Sequence, residues 1–361
     1  MRKVVAGIVS LLAMSVAGCG GTSAVFVPTV TSVVPSSTGV PNSVASLWPY
    51  AFVSVQGTGQ IFTYNISSGS QVQVGAPYAT PCASPSGMVI GNIAGASVMA
   101  VPCWDKGTLL TLSVHADGSL SALGAVGGLP VPYPGIALDG TNVLVPLFGV
   151  VGASNGSVAK VSIASPANPV VLGVTPLASP ASGGFVNAGF LTVSNGKIFV
   201  AAGSESAPID TSSSVQVVDE ATMTLVGKPL VVAHSPQHLA VQNGVAFVTF
   251  YDAAQFESVD VSDPANLKPL QKLPMAGVIP NCQSIPILVR GGMAYVGCYE
   301  EGTVYKMDVS NPSSMVLSET ISGIDYPQEF NVADRYLLVT DSARGGRVYQ
   351  IDTGVTISGK L

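Results

Sequence analysis

Two segments of this 361-residue chain put side chains that could exchange a proton at the same point of one spacing: Ser235-Pro236-Gln237-His238 and Tyr326-Pro327-Gln328-Glu329. An imidazole and a carboxylate that converge make a general acid/base pair, or half of a metal site. The plainer reading is a hydrogen-bonded polar lining, because buried polar groups find partners. His238 and Glu329 therefore stand as candidates, and no catalytic residue is assigned. Three histidines are too few for a multi-histidine centre, so no metal and no cofactor are expected. His115 and His234 read as surface residues. The chain has no Gly-x-Ser-x-Gly elbow, no Gly-x-x-x-x-Gly-Lys phosphate loop and no His-Glu-x-x-His.

Four of the five cysteines fall in two matched settings. Cys82 and Cys282 each begin a Cys-x-Ser ahead of an innermost strand, and Cys103 and Cys298 each end the strand that follows it. Antiparallel neighbours bring the start of one strand opposite the end of the next. This predicts Cys82–Cys103 and Cys282–Cys298 disulfides in an oxidising compartment. A zinc site would want Cys-x-x-Cys spacing or a neighbouring histidine, and neither is present.

The elements that must hold these residues are strands. Charged residues make up 9% of the chain, while 40 Gly and 26 Pro argue against long helices. A net charge of −6 with 14 Lys plus Arg excludes the clustered cations that nucleic acid requires. A strongly β-branched strand recurs at 61–66, 109–114, 158–163, 215–220, 257–262, 304–309 and 348–353, with starts 42 to 57 residues apart. That is the period of propeller blades. The strands ahead of most copies, such as 197–200 and 245–248, are apolar on both faces and so must be covered on both. Asn195-Gly196, Asn243-Gly244 and Gly291-Gly292 supply tight hairpin turns. The fold class is all-β: a seven-bladed β-propeller of four-stranded antiparallel blades. A pair of β-sandwiches would not recur at a fixed period.

The propeller is expected over residues 48–361, after a segment 1–18 and an uncharged tether at 19–47. The first unit lacks an obvious innermost strand, so closure borrows a strand from residues 24–47, joining an edge that sequence does not specify. Ligands of a propeller gather at the channel mouth, lined by residues just before the innermost strands. Tyr133, Gln237, His238, Gln328 and Glu329 are the binding residues this predicts. Arg290 and Arg335 sit near turns into second strands, away from that mouth.

Val259-Asp260-Val261-Ser262-Asp263-Pro264, Met307-Asp308-Val309-Ser310-Asn311-Pro312 and Val161-Ser162-Ile163-Ala164-Ser165-Pro166 share a signature that resembles the LVIVD repeat. The full units are similar to YVTN and lactonase-like seven-bladed propellers. Physically, Asp or Asn before Pro caps the turn into the outermost strand, so Asp260, Asp263 and Asp308 read as structural. Arg2 and Lys3, the apolar run 4–17 and Val16-Ala17-Gly18-Cys19 resemble a bacterial lipoprotein signal peptide. That resemblance implies lipidation of Cys19, export, and attachment to the membrane through the lipid. Gly20 lacks the Asp that retains such proteins at the inner membrane, which favours the outer one in a Gram-negative host. The expected function is a monomeric, envelope-anchored binding or scaffolding module. It would take an unknown envelope protein or a small ligand at its top face. The alternative that the resemblance implies is a channel-mouth hydrolase of the lactonase type.

Overall fold

The computed structural model describes residues 30–33, 39–150, 154–180, 184–203, 213–274, 283–342 and 346–353. It is all-β, with seven antiparallel sheets arranged as the blades of a propeller. The innermost strands, blade 1 to blade 7, are Val40–Leu47, Val89–Ile93, Ala137–Asp139, Asn187–Ser194, Pro236–Gln242, Ser284–Arg290 and Pro327–Ala333. Each chain segment then runs outward through the blade. The face where the innermost strands begin is called the entry face below, and the face where they end the exit face.

Local chemistry accounts for the hairpins. Asn195 and Gly196, Asn243 and Gly244, and Gly291 and Gly292 all take positive φ, which two-residue turns between twisted strands require. The apolar second strands are buried on both faces, as their composition demands. Between blades 5 and 6, for example, Phe247 and Phe256 meet Ala294, Val296, Tyr305 and Met307. The Asp residues of the Asp-x-Ser and Asp-Pro turns cap backbone as expected. Asp260 Oδ1 accepts from Ser262 N at 2.9 Å and Asp263 Oδ1 from Ala265 N at 3.1 Å.

Two strands come from residues 19–47, which the sequence reading gave to a tether with one strand to spare. Val40–Leu47 is the innermost strand of blade 1, paired from Leu47 opposite Tyr50 to Val40 opposite Gln56. Val30–Val33 becomes the outermost strand of blade 7, running from Val30 opposite Ile351 to Val33 opposite Val348. Among the described residues the sheets therefore begin at Val30, ahead of the expected start at residue 48. Pro41 sits near the start of its strand, where a missing donor costs little, which is why a proline-punctuated stretch still pairs. The chain's last residues, including the strand remnant expected at 355–358, lie outside the described residues.

Cys82 and Cys103 form a disulfide with Cα atoms 5.9 Å apart. Cys298 is also disulfide-bonded, whereas Cys282, its expected partner, lies outside the described residues. The first bridge closes a loop with a sequence separation of 21, worth about 3 kcal/mol on loop entropy. Replacing both Cys82 and Cys103 by Ala should lower the calorimetric melting temperature by several degrees. An unchanged melting temperature would mean that the blade 2 sheet alone holds this loop.

Candidate functional site

The site is built by a break in strand register that recurs near the start of the innermost strands. In blades 1, 5 and 7 the pairing skips a residue between Pro41 and Ser43, Pro236 and His238, and Pro327 and Glu329. A bulge re-aims the side chain that follows it. The residues re-aimed are Ser43, His238 and Glu329, directly opposite Ser54, Thr249 and Thr340. All three opposing hydroxyl residues are fully buried. Ser54 Oγ accepts from Ser43 N at 3.1 Å, and Thr340 Oγ1 accepts from Glu329 N at 3.0 Å. Thr249 Oγ1 donates to His238 O at 3.4 Å. The hydroxyls thus take up backbone groups that the bulges free. Sequence reasoning missed Ser43 and the three hydroxyls. The available signal was Pro41-Asn42-Ser43, which repeats the spacing of Pro236-Gln237-His238 inside the supposed tether.

His238 and Glu329 line one cavity of about 480 Å³ on the propeller axis, walled by the innermost strands of blades 4 to 7. Because an innermost strand pairs on one side only, its free edge presents N–H and C=O groups to the axis. Aromatic packing closes the cavity toward the entry face. The Phe190 ring stacks on His238 and meets Tyr133 edge-on at 5.9 Å. Tyr133 packs in turn on Phe148 at 4.5 Å and Trp104 at 5.7 Å. Buried Gln237 donates from Nε2 to Tyr133 Oη at 2.6 Å. Tyr133 and Gln237 are therefore part of the closure and are not in the cavity wall, and neither is half-buried Gln328.

The other end is open. Along Asn187–Ser194 and Pro236–Gln242 burial is complete at the start and partial over the last three residues. This overturns the placement of Arg290 away from the site. Arg290 ends the blade 6 innermost strand and lines the same cavity as His238 and Glu329, because the mouth lies at the exit face. Arg335 is exposed and paired with Asp352, off the cavity wall. His115 is exposed and bonded to Ser121 at 2.8 Å. His234 is half-buried, 3.4 Å from an Asp252 carboxylate that also accepts from Ser235 N.

Burial sets the charge state of the pair. The His238 imidazole has its pKa held well below the ordinary value by desolvation, and so stays neutral. The Glu329 carboxyl is pushed up to about 8 by burial. His238 Nε2, Glu329 Oε2 and Ser43 Oγ are all buried without a hydrogen-bond partner. The imidazole and the carboxyl are therefore not bonded to each other. Near pH 7 the inner end of the cavity offers a carboxylic acid that can donate and a neutral imidazole. Arg290, its pKa lowered by burial, adds a guanidinium toward the mouth. Among the described residues no three His, Cys, Asp or Glu side chains gather as metal ligands.

Residues 284–322 match the LVIVD repeat. This stretch is blade 6 from its innermost to its outermost strand. No curated protein sequence matches the chain. Among solved structures it is similar to virginiamycin B lyase from Staphylococcus aureus, with a TM-score of 0.65 at 10% identity, covering 90% of this chain and 99% of that one. It is also similar to a putative 6-phosphogluconolactonase from Bacteroides uniformis, with a TM-score of 0.62 at 16% identity, covering 81% and 87%. The β-propeller domain of Cps50 (Swd1) from Myceliophteria thermophila gives a TM-score of 0.68 at 11% identity, covering 90% and 99%. At such identities the likeness is one of fold.

A raised folded-state pKa makes the native protein bind more protons than the unfolded chain. The stability contributed by Glu329 is thus fully present below its unfolded value near 4.5 and is lost as pH rises toward about 8. The melting temperature of the wild type relative to Glu329→Gln should fall between pH 5 and pH 8 and level off above that. A difference independent of pH would mean that Glu329 is ionised in the folded protein.

Proposed function

We propose that the protein is an exported, lipid-anchored β-propeller of the cell envelope that binds a small, uncharged, hydrogen-bonding molecule in its central channel. One observation carries the binding role: His238 Nε2 and Glu329 Oε2, both buried and both unpartnered, belong to the wall of one blind-ended cavity. Buried polar atoms without partners cost stability, so the fold gains when a ligand or ordered water bonds them. Charge selects the ligand. With His238 and Glu329 both neutral, a charged group at the inner end would lose its hydration without meeting a counter-charge. The free strand edges add N–H and C=O groups that suit a molecule with several donors and acceptors. The cavity volume lies within the range of small-molecule sites.

The envelope location rests on the signal-like segment and Cys19. A partner protein in the envelope, met by a monomeric propeller, belongs to the same proposal. A hydrolase of the lactonase type is the second reading. It draws support from Arg290, which joins His238 and Glu329 in the cavity instead of lying apart from them. Against it, His238 Nε2 has no hydrogen-bond partner among the described residues, so it forms no pair with an orienting group of the kind a general base ordinarily requires.

The test is a thermal-shift panel of neutral sugars, amides and lactones with matched carboxylates and amines, run on wild type, His238→Ala and Glu329→Gln. Neutral compounds should raise the wild-type melting temperature, and either substitution should remove most of that rise. Equal shifts by charged analogues, or shifts that survive both substitutions, would remove the channel from the reading. Acid release from a lactone by wild type, lost in both variants, would establish the hydrolase instead. Cys19→Ala should convert a membrane-associated, acylated protein into a soluble one, measured by intact mass and fractionation.

A further inference from the structure

The closing strand fixes where the N-terminal segment leaves the ring. Tyr336 pairs with Asp352 across the exit face of blade 7, and Val30 pairs with Ile351 beside them. The chain ahead of Val30 therefore departs from the exit face, the face at which the channel is open. Ten residues lie between Cys19 and Val30, eleven Cα-to-Cα steps. Such a segment reaches at most about 36–40 Å fully extended and averages about 17–20 Å when unstructured. A blade built on a seven-residue strand such as Pro327–Ala333 is about 23 Å deep. Presenting the entry face to an anchoring membrane would use the segment's whole average span, and a little more, on the side of the blade alone, whereas the exit face needs none of it.

A second, independent feature marks the same corner. Trp48, in the exit-face turn of blade 1, is 48% exposed and stacks on Tyr336 with ring centroids 6.3 Å apart. The Arg335 guanidinium lies 6.0 Å from the Tyr336 ring centre. Trp, Tyr and Arg together suit the boundary between headgroups and acyl chains, where an amphipathic ring keeps one end wet. The exit-face turns farther round the ring carry Asp117, Asp260, Asp263 and Asp308, whose carboxyls are held ionised by hydrogen bonds from neighbouring Ser, Asn and backbone groups. Those turns favour water; at the seam between blades 7 and 1 the acidic neighbours Asp334 and Asp352 face the Arg335 guanidinium, which offsets their charge.

We infer that Trp48, Tyr336 and Arg335 form a membrane-contacting corner that turns the open mouth of the channel toward the lipid bilayer to which Cys19 is attached. The inference rests on the lipid anchor proposed above. It adds an orientation: the ligand enters from the narrow space between propeller and bilayer.

The two tryptophans report on opposite faces. Trp48 lies at the exit face, and Trp104, 38% exposed, lies in the aromatic closure at the entry face. The full-length protein, purified from a bacterial membrane, is bound to phosphatidylcholine vesicles containing spin-labelled phosphatidylcholine. Fluorescence is then read in Trp104→Phe, which leaves Trp48, and in Trp48→Phe, which leaves Trp104. Trp48 should be quenched severalfold more than Trp104. Hydrogen exchange on the unsubstituted protein covers the case in which a variant does not fold, and should slow on vesicles at residues 47–50 and 334–336 and stay unchanged at 104–106. Equal or greater quenching of Trp104, or protection confined to 104–106, in protein that is acylated and vesicle-bound overturns the orientation. A mass spectrum without acyl chains on Cys19 overturns the anchor, and the orientation with it.

Discussion

A blade that is apolar on both faces is stable only between two neighbours, and this requirement forces the sheets into a closed ring. Without closure the two end blades would each expose one such face. The seam is packed like the other blade boundaries: Val44, Val53, Phe62, Tyr64 and Ile66 of blade 1 meet Leu338 and Val348 of blade 7. A polar tie repeats around the ring as well. Thr63 Oγ1 donates to Gly118 O at 3.0 Å, Lys160 Nζ to Glu220 O at 2.9 Å, and Ser258 Oγ to Pro312 O at 2.5 Å, each reaching the outer turn of the next blade. Gln350 Nε2 makes the equivalent bond to Ile66 O across the seam, at 3.3 Å. Each such bond is worth only about 1 kcal/mol net, but its repetition sets the angle between neighbours.

Closure also produces the site. Sheets packed face to face around an axis must turn their innermost edges inward, and those edges cannot pair with one another. The axis is therefore surrounded by backbone groups that want partners. Near the entry face the bulges at Ser43, His238 and Glu329 swing polar side chains toward the same region, and buried hydroxyls absorb the backbone groups that each bulge disturbs. The polarity of the channel is a consequence of ring geometry, whereas its neutrality is a consequence of burial.

Much of this was legible because it depends on local pattern. The blade period, the Asn-Gly turns, the capping Asp residues and the Cys82–Cys103 pairing all follow from residues close in sequence or from their recurrence. His238 and Glu329 were found through a shared spacing, and they do line one cavity. What was hidden depends on contacts between distant segments. Val30–Val33 pairs with a strand more than three hundred residues away, so nothing near it announces its role. Arg290 was misplaced because strand position gives depth along the axis but not which end is open. That is decided where Trp104, Tyr133, Phe148 and Phe190 meet from blades 2, 3 and 4.

The asymmetry between the two faces follows from the same chain path. In a propeller closed by its own N-terminal segment as an outermost strand, that strand must run antiparallel to the third strand of the last blade. The third strand runs from entry face to exit face, so the N-terminal segment has to enter at the exit face. The channel is stoppered at the opposite face by Phe190, near the start of its innermost strand, and by rings carried on loops that precede innermost strands or follow second strands, all of which lie at the entry face by the same alternation. The start of the closing strand and the opening thus share a face because strand direction alternates. Reversing one without the other would require a different strand to close the ring.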